Sequence, residues 1–185
     1  MSLEYAILGF LCYKPLSGYD LKKIFDNSVQ HFWPADQGQI YRTLARLADQ
    51  GWAEIEVVEQ SQRPDRKVYH LTPAGREELH RWLAGPVPSY ESRNASLIQV
   101  FFAGQLSDEQ LLVKFEQVAS YSRAVLATYQ QIPVVIASYA QEFATPREAF
   151  CWNLTLELGI QSVQAQLDWA ESVIERIRNK QIPEA

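Results

Sequence analysis

The chain has 185 residues, of which 47% are hydrophobic, and carries a net charge of −5. This length fits one large or two small domains with an ordinary core, and no apolar run is long enough to span a membrane. Residues 1–84 hold 10 basic and 11 acidic side chains, so bulk charge gives no indication of nucleic-acid binding, which would need a local basic patch.

Two helices are predicted at the start of the chain. Apolar residues at helical spacing from Leu3 to Leu11 predict a first helix near 2–13, which Pro15 follows. Ser17 with Asp20 three residues later has the pattern of a capping box, and the stripe behind it predicts a second helix near 17–30.

A third helix is predicted after Pro34. Asp36 is the expected N-cap, with Gln39 at the box position, and Gly51 ends the helix. One face is apolar and is expected to be buried, namely Ile40, Leu44 and Leu47. At about 100° per residue, polar and basic side chains occupy the remaining surface, namely Gln39, Tyr41, Arg42 and Arg46.

The periodicity changes to two after Trp52, which predicts a strand from Ala53. Residues 60–65 have turn composition, and 67–71 read as the returning strand. Thr72 as cap and Pro73 in the first turn then predict a fourth helix. Three basic side chains cluster at this hairpin, namely Arg63, Arg66 and Lys67.

Three helices, a two-stranded hairpin and a helix are the order of a winged helix-turn-helix, in which the helix before the hairpin enters the major groove of DNA. Arginine can pair with guanine and glutamine with adenine, whereas tyrosine and lysine suit phosphates. We therefore expect a sequence-specific DNA-binding domain over residues 1–84, with double-stranded DNA as partner. The alternative is a winged-helix module that binds protein, which the negative charge of both halves favours.

The second half is predicted to be an α-helical dimerisation and effector domain over residues 90–185, so the whole chain is mostly α. Residues 85–89 have linker composition. The apolar residues around Phe101 predict a short helix, and Ser107 is the expected N-cap of the next one. A further short helix is expected within 134–143. Thr145 and Pro146 begin a helix to about 179.

That last helix has two apolar stripes. One is a seam with steps of four and three, namely Leu156, Ile160, Val163, Leu167, Ala170, Ile174 and Ile177, and the other holds Phe150, Leu154 and Leu158. Two apolar faces on one long helix predict that one packs within the chain and the other against a second copy, chiefly through 146–179. The alternative is a purely intramolecular bundle.

Enzymatic activity is not expected. The chain has no Gly-rich phosphate loop, no Cys-x-x-Cys and no Gly-x-Ser-x-Gly, and its three histidines are scattered, so we predict no cofactor and no metal. Cys12 and Cys151 lie in apolar helical patterns and are expected to be buried thiols in the reducing cytoplasm, with a redox pair as the alternative. Many aromatic residues are present, so a small-molecule effector pocket between the two domains is a hypothesis.

The first half also resembles the PadR family of transcriptional regulators. The similarity rests on four stretches in this order and spacing, namely Ile7-Leu8-Gly9-Phe10-Leu11, Pro15-Leu16-Ser17-Gly18-Tyr19-Asp20-Leu21, Gly38-Gln39-Ile40-Tyr41-Arg42-Thr43-Leu44-Ala45-Arg46-Leu47 and Tyr69-His70-Leu71-Thr72-Pro73-Ala74-Gly75. The longer second half resembles the subgroup with an extended helical domain.

This resemblance implies a homodimer, most often a repressor, that binds a pseudo-palindromic operator and releases it in response to a small molecule. It implies that Tyr41 contacts the DNA backbone and that Ser17, Gly18 and Tyr19 lie near phosphates. Many members have Thr or Ser where this chain has Gln39, so its base preference is expected to differ there.

Overall fold

The computed structural model describes residues 2–29, 32–59, 65–87, 94–133, 137 and 144–183. They form two compact units, one comprising the described residues up to 87 together with 144 and 145, and the other comprising the rest, which includes the helices from residue 95 onward. The predicted fold class is confirmed: the structure is mostly helical, with one small antiparallel sheet beside the first helices.

The first unit begins with three helices, α1 (Ser2–Leu11), α2 (Gly18–Asn27) and α3 (Gln37–Asp49). Both expected capping boxes form: the side chains of Ser17 and Asp36 accept hydrogen bonds from the amides three residues later. Gly51, just after α3, adopts a φ of 72°, where a side chain would be strained, so the chain reverses there into the sheet.

The sheet has one strand more than predicted. The hairpin strands β2 (Ala53–Val58) and β3 (Arg66–Leu71) are joined by β1 (Leu16–Ser17), in the order β1-β3-β2. Leu16 pairs with Tyr69 and Ser17 with Val68. The sequence predicted only the two hairpin strands. It missed β1, because a strand of two residues is too short to show an alternating pattern.

The fourth helix, α4 (Pro73–Ala84), closes the first unit with Thr72 as its N-cap, as predicted. One continuous core lies between the helices and the sheet, formed by Ile7, Leu8, Leu11, Leu16, Leu21, Phe25, Ile40, Leu44, Leu47, Ala53, Tyr69 and Leu79. Since the apolar stripe of α3 is fully buried in this core, the opposite face of the helix is turned to solvent.

The second unit contains α5 (Ala95–Phe101), a short 3-10 turn at Ala103–Gln105, α6 (Asp108–Tyr129) and α7 (Pro146–Arg178). The expected cap at Ser107 forms. Helices α6 and α7 pack together through Phe115, Ala119, Leu167, Ala170, Ile174 and Ile177. The C-terminal half of the predicted seam is thus used within the chain, while Ile160 on the same seam is exposed.

One prediction from the sequence is wrong, and others concern residues outside the described ranges. Cys151 is exposed, so the prediction of a buried thiol is wrong there; Cys12 is half-buried, and the two form no disulfide. Arg63, the turn at 60–64 and almost all of the helix expected within 134–143 lie outside the described residues. In the part of the chain that is described, no helix is long and apolar enough to cross a membrane.

Candidate DNA-binding surface

Helix α3 presents a polar face to solvent. Its buried residues are Ile40, Thr43, Leu44 and Leu47, and Gln39, Tyr41, Arg42 and Arg46 are all exposed. The guanidinium group of Arg42 lies beside Gly38, its Nη1 atom 3.2 Å from the position that a Cβ on Gly38 would occupy. Because long helical side chains lean toward the N-terminus, Arg42 follows the usual direction and lies along the first turn of α3.

Gln39 is occupied in part by its capping role. Its backbone amide donates to Asp36 Oδ1 at 2.7 Å, and its side-chain Oε1 accepts from the Asp36 amide at 3.0 Å. A bidentate contact with adenine uses both the oxygen and the nitrogen of a glutamine amide. Base recognition by Gln39 therefore requires this oxygen to be shared with, or released from, the cap.

Arg46 forms an ion pair that was not predicted. Its Nε lies 2.5 Å from Glu4 Oε1, and the side chain of Glu4 is only 9% exposed. The pair ties α1 to α3, because an almost buried carboxylate needs a charged partner. The sequence carried a signal for it, since Glu4 lies on the same helical face as Leu8 and Leu11, where an apolar residue would be expected.

Tyr41 lies between α3 and the start of α2. A Cβ on Gly18 would be 2.6 Å from Tyr41 Cε1 and 2.7 Å from Cζ, so the ring occupies the space beside this glycine. The buried phenol of Tyr69 is close by: burial raises the pKa of Tyr69, and the neighbouring Tyr41 adds to that rise. Tyr41 nevertheless remains 42% exposed.

Ser17, Asp20 and Arg66 form a network at the junction of α2 and the sheet. The Ser17 hydroxyl donates to Asp20 Oδ2 at 2.7 Å, the Ser17 amide donates to the same oxygen, and Arg66 forms an ion pair with it. Burial alone would raise the pKa of Asp20, but the hydrogen bonds from Ser17 and the Arg66 guanidinium outweigh it and hold that pKa below its usual value.

This network argues against the expected role of Ser17 as a phosphate contact. Its side chain is buried, 5% exposed, and its hydroxyl both donates to the Asp20 carboxylate and accepts from the Asp20 amide. A direct phosphate contact through this hydroxyl would require the cap to open, so Ser17 is better suited to fixing the first turn of α2.

Two other predicted DNA-contacting residues, Tyr19 and Lys67, are exposed and lie outside this network. Tyr19 is the second residue of α2, next to the buried Gly18, and is exposed. Lys67 is exposed beside Arg66 on β3, and because successive strand residues point to opposite faces, the two side chains leave the sheet on different sides. Within the described ranges, no three His, Cys, Asp or Glu side chains are grouped so that they could hold a metal ion.

Two family models match the chain in succession. Residues 7–81 match the transcriptional regulator PadR-like family, and residues 92–178 match the model described as virulence activator alpha C-term. The first match contains α3 and the hairpin, and the second contains α5, α6 and α7.

Individual relatives match over nearly the whole chain. A probable transcriptional regulator of Mycobacterium tuberculosis is 33% identical, covering 97% of this chain and 100% of the relative. The negative transcriptional regulator PadR of Bacillus subtilis is 29% identical, covering 95% and 97%.

Solved structures agree with this similarity. The crystal structure of Bacillus subtilis PadR with operator DNA has a TM-score of 0.81 at 29% identity, covering 96% of this chain and 99% of that one. Its complex with p-coumaric acid has a TM-score of 0.76 at 29% identity, covering 95% of each. The Vibrio cholerae virulence activator AphA has a TM-score of 0.74 at 26% identity, covering 96% and 99%. With the winged helix and its exposed recognition face, these similarities establish that the chain belongs to the PadR-like family of DNA-binding transcriptional regulators.

Proposed function

We propose that this protein is a repressor that binds a pseudo-palindromic operator as a homodimer and releases it when a small molecule binds. The observation that carries the proposal is α3, which buries one face completely and exposes a face of polar and basic side chains. A helix with this division can lie in the major groove without losing its packing. Similarity to the operator complex of Bacillus subtilis PadR supports this placement.

The exposed residues suit different contacts with DNA. Arg42 and Gln39 are proposed to read base edges, with Arg46 beside them. Tyr41 and Tyr19 are proposed to offer hydroxyl groups to phosphates, and Ser17 fixes the first turn of α2, to which Tyr19 belongs. Of the basic residues of the hairpin, Lys67 and Arg63 are proposed to contact the backbone, while Arg66 also neutralises Asp20.

Arg42 gives the sharpest test of DNA binding. We expect the wild-type protein to select duplex fragments from a random DNA pool with an affinity that falls steeply with salt, because released counterions contribute to binding. Arg42→Ala should weaken binding by about 1–3 kcal/mol and relax the preference for one base pair. Arg76→Ala removes another exposed arginine, from α4, outside both the proposed DNA contacts and the faces proposed to pair, and is the matched control.

If the wild-type protein selects no fragment at any salt concentration, the proposed function is wrong. A module that binds protein instead, which the net charge of −5 favours, would show no salt-dependent DNA affinity to lose.

A second copy is proposed to cover two apolar faces of the second unit. Helix α5 has no charged residue and exposes Leu97, Ile98 and Phe101, followed by Phe102. The N-terminal half of α7 exposes Phe150, Leu154 and Leu158. Monomers rarely expose so many large apolar side chains together. A second copy is the partner that a palindromic operator requires, because its two half-sites need two recognition helices held about one DNA turn, or a multiple of it, apart.

The small-molecule part of the proposal rests on the complex of Bacillus subtilis PadR with p-coumaric acid. We therefore use p-coumaric acid as the first probe and other aromatic acids after it. A bound effector should change the fluorescence of the five tryptophans and release the protein from its selected DNA fragment. If neither signal changes across a broad panel of such compounds, responsiveness to this class of ligand is refuted.

We propose a repressor because one relative, PadR of Bacillus subtilis, is a negative regulator; similarity to the virulence activator of Vibrio cholerae would instead favour an activator. A transcription assay on a natural promoter region that contains the selected sequence, with the site kept in its own position, distinguishes them, since a repressor lowers the transcript yield and an activator raises it. A regulator that acts on the chromosome of a bacterium works in the cytoplasm, where we place this one.

A further inference from the structure

Gly18 has no side chain at a point where another residue's ring fills the space. A Cβ built there would lie 2.6 Å from Cε1, 2.7 Å from Cζ and 3.0 Å from Cδ1 of Tyr41. Two of these separations are below any that real Cβ atoms show, so a residue other than glycine forces the ring to move.

The backbone does not require this glycine. Gly18 is the first residue of α2, and among the described glycines only Gly51 has a positive φ. An alanine could adopt the same helical backbone and would reduce the entropy of the unfolded chain. The need for glycine at this position therefore comes from the Tyr41 ring alone.

Several contacts hold the two partners in place. The Ser17 hydroxyl caps α2, and its Asp20 partner is bound in turn by Arg66 of β3, so the first turn of α2 is fixed to the sheet. Tyr41 belongs to α3, whose neighbours Ile40 and Leu44 are fully buried. The two helices α2 and α3 are therefore both held in place where Gly18 lies against the Tyr41 ring.

We propose that Gly18 is a positioning residue for DNA binding: its bare backbone sets where the Tyr41 ring lies and hence where the Tyr41 hydroxyl meets a phosphate. This inference rests on the proposed contact between Tyr41 and DNA. To move from 2.6 Å to the 3.4 Å at which ordinary contact begins, the ring must retreat by about 0.8 Å. Because hydrogen bonds of this kind span only about 2.5–3.0 Å, such a shift is enough to break one.

Gly18→Ala should change the stability of the protein little, whereas it would lower the stability if Gly18 had only a structural role. Tyr41 is 42% exposed, so its ring can swing toward solvent without opening the core. We therefore expect Gly18→Ala to unfold at the same urea concentration as the wild type or slightly above it. Gly9→Ala in α1 is the matched control, because a Cβ at Gly9 would meet nothing within 4 Å.

The first measurement detects the contact without DNA. The protein is labelled with 3-fluorotyrosine, and the 19F resonance of Tyr41 is identified as the one that Tyr41→Phe removes. Gly18→Ala should shift this resonance and Gly9→Ala should leave it unchanged. An unshifted Tyr41 resonance in folded Gly18→Ala would overturn the inference whatever happens on DNA.

The second measurement is a double-mutant cycle on the fragment selected by the wild-type protein from the random duplex pool. Gly18→Ala and Tyr41→Phe should each raise Kd about tenfold for each copy bound, the effect of losing one hydrogen bond to a charged group. In the Tyr41→Phe background, Gly18→Ala should have no further effect.

The outcomes separate the two proposals. Equal effects of Gly18→Ala with and without the Tyr41 hydroxyl, or wild-type affinity of Gly18→Ala, would refute the positioning role while leaving DNA binding intact. Unchanged affinity of Tyr41→Phe would refute the contact between Tyr41 and DNA and the inference built on it. Failure to select any fragment would refute the proposed function itself.

Discussion

Removal of the Phe101 ring is expected to separate the proposed dimer. Full burial of a phenylalanine side chain is worth about 1.5–3 kcal/mol. In the single chain Phe101 is 82% exposed, so nearly all of that gain remains available for contact with a second copy. A twofold interface uses each residue twice, so Phe101→Ala should lose about 2 kcal/mol per copy and about 4 kcal/mol per dimer. That raises the dimer Kd about a thousandfold.

Analytical ultracentrifugation over a concentration series measures this change directly. The wild-type protein should sediment at about twice 21.2 kDa at micromolar concentration, and Phe101→Ala should shift toward the monomer. Leu83→Ala is the control, because Leu83 is 65% exposed on α4, outside the two faces proposed to pair. A monomeric wild type would refute the dimer, and a Phe101→Ala variant that dimerises as tightly as the wild type would refute the use of this face.

Three further substitutions test the fold around the DNA-binding surface and α6. Gly51→Ala places a side chain at a φ of 72° and should lower the free energy of unfolding by about 1–2 kcal/mol in urea titrations; a loss no greater than that of Gly9→Ala would contradict the strain. Asp20→Asn should be less stable than the wild type at neutral pH. Because folding lowers the pKa of Asp20, this difference should persist above about pH 4, near the unfolded pKa, and disappear as the pH falls through the folded value; a pH-independent difference would contradict this. Ser107→Ala removes the cap of α6 and should cost about 1 kcal/mol in chemical denaturation of the second unit, whereas Ser107→Asp should retain most of the stability.

Much of the fold could be predicted because its signals are local. Ser17, Asp36, Thr72 and Ser107 all cap helices as their spacing indicated, since a cap depends only on residues a turn away. The burial of one face of α3 follows from its periodicity in the same way. These local features were sufficient to identify which side chains of α3 face outward.

The contacts that shape the candidate site could not be predicted, because their partners are distant in sequence. Glu4 and Arg46 are 42 positions apart, and Asp20 and Arg66 are 46 apart. Strand β1 exists only because β3 lies beside it. The exposure of Cys151 likewise depends on which face of α7 packs on α6, which periodicity alone leaves open.

The ion pairs of Arg46 and Arg66 bear on how such a regulator finds its target. Both arginines belong to the proposed DNA-binding surface, and both already share their charge with a carboxylate of the same chain. Attraction to phosphates supplies essentially all affinity for arbitrary DNA. With a net charge of −5 and these cations partly neutralised, the protein should leave non-operator DNA quickly and travel between sites mainly through solution, with only short sliding along the duplex. Discrimination would then depend on base contacts formed after arrival, and little of the cellular pool would be held on the rest of the chromosome.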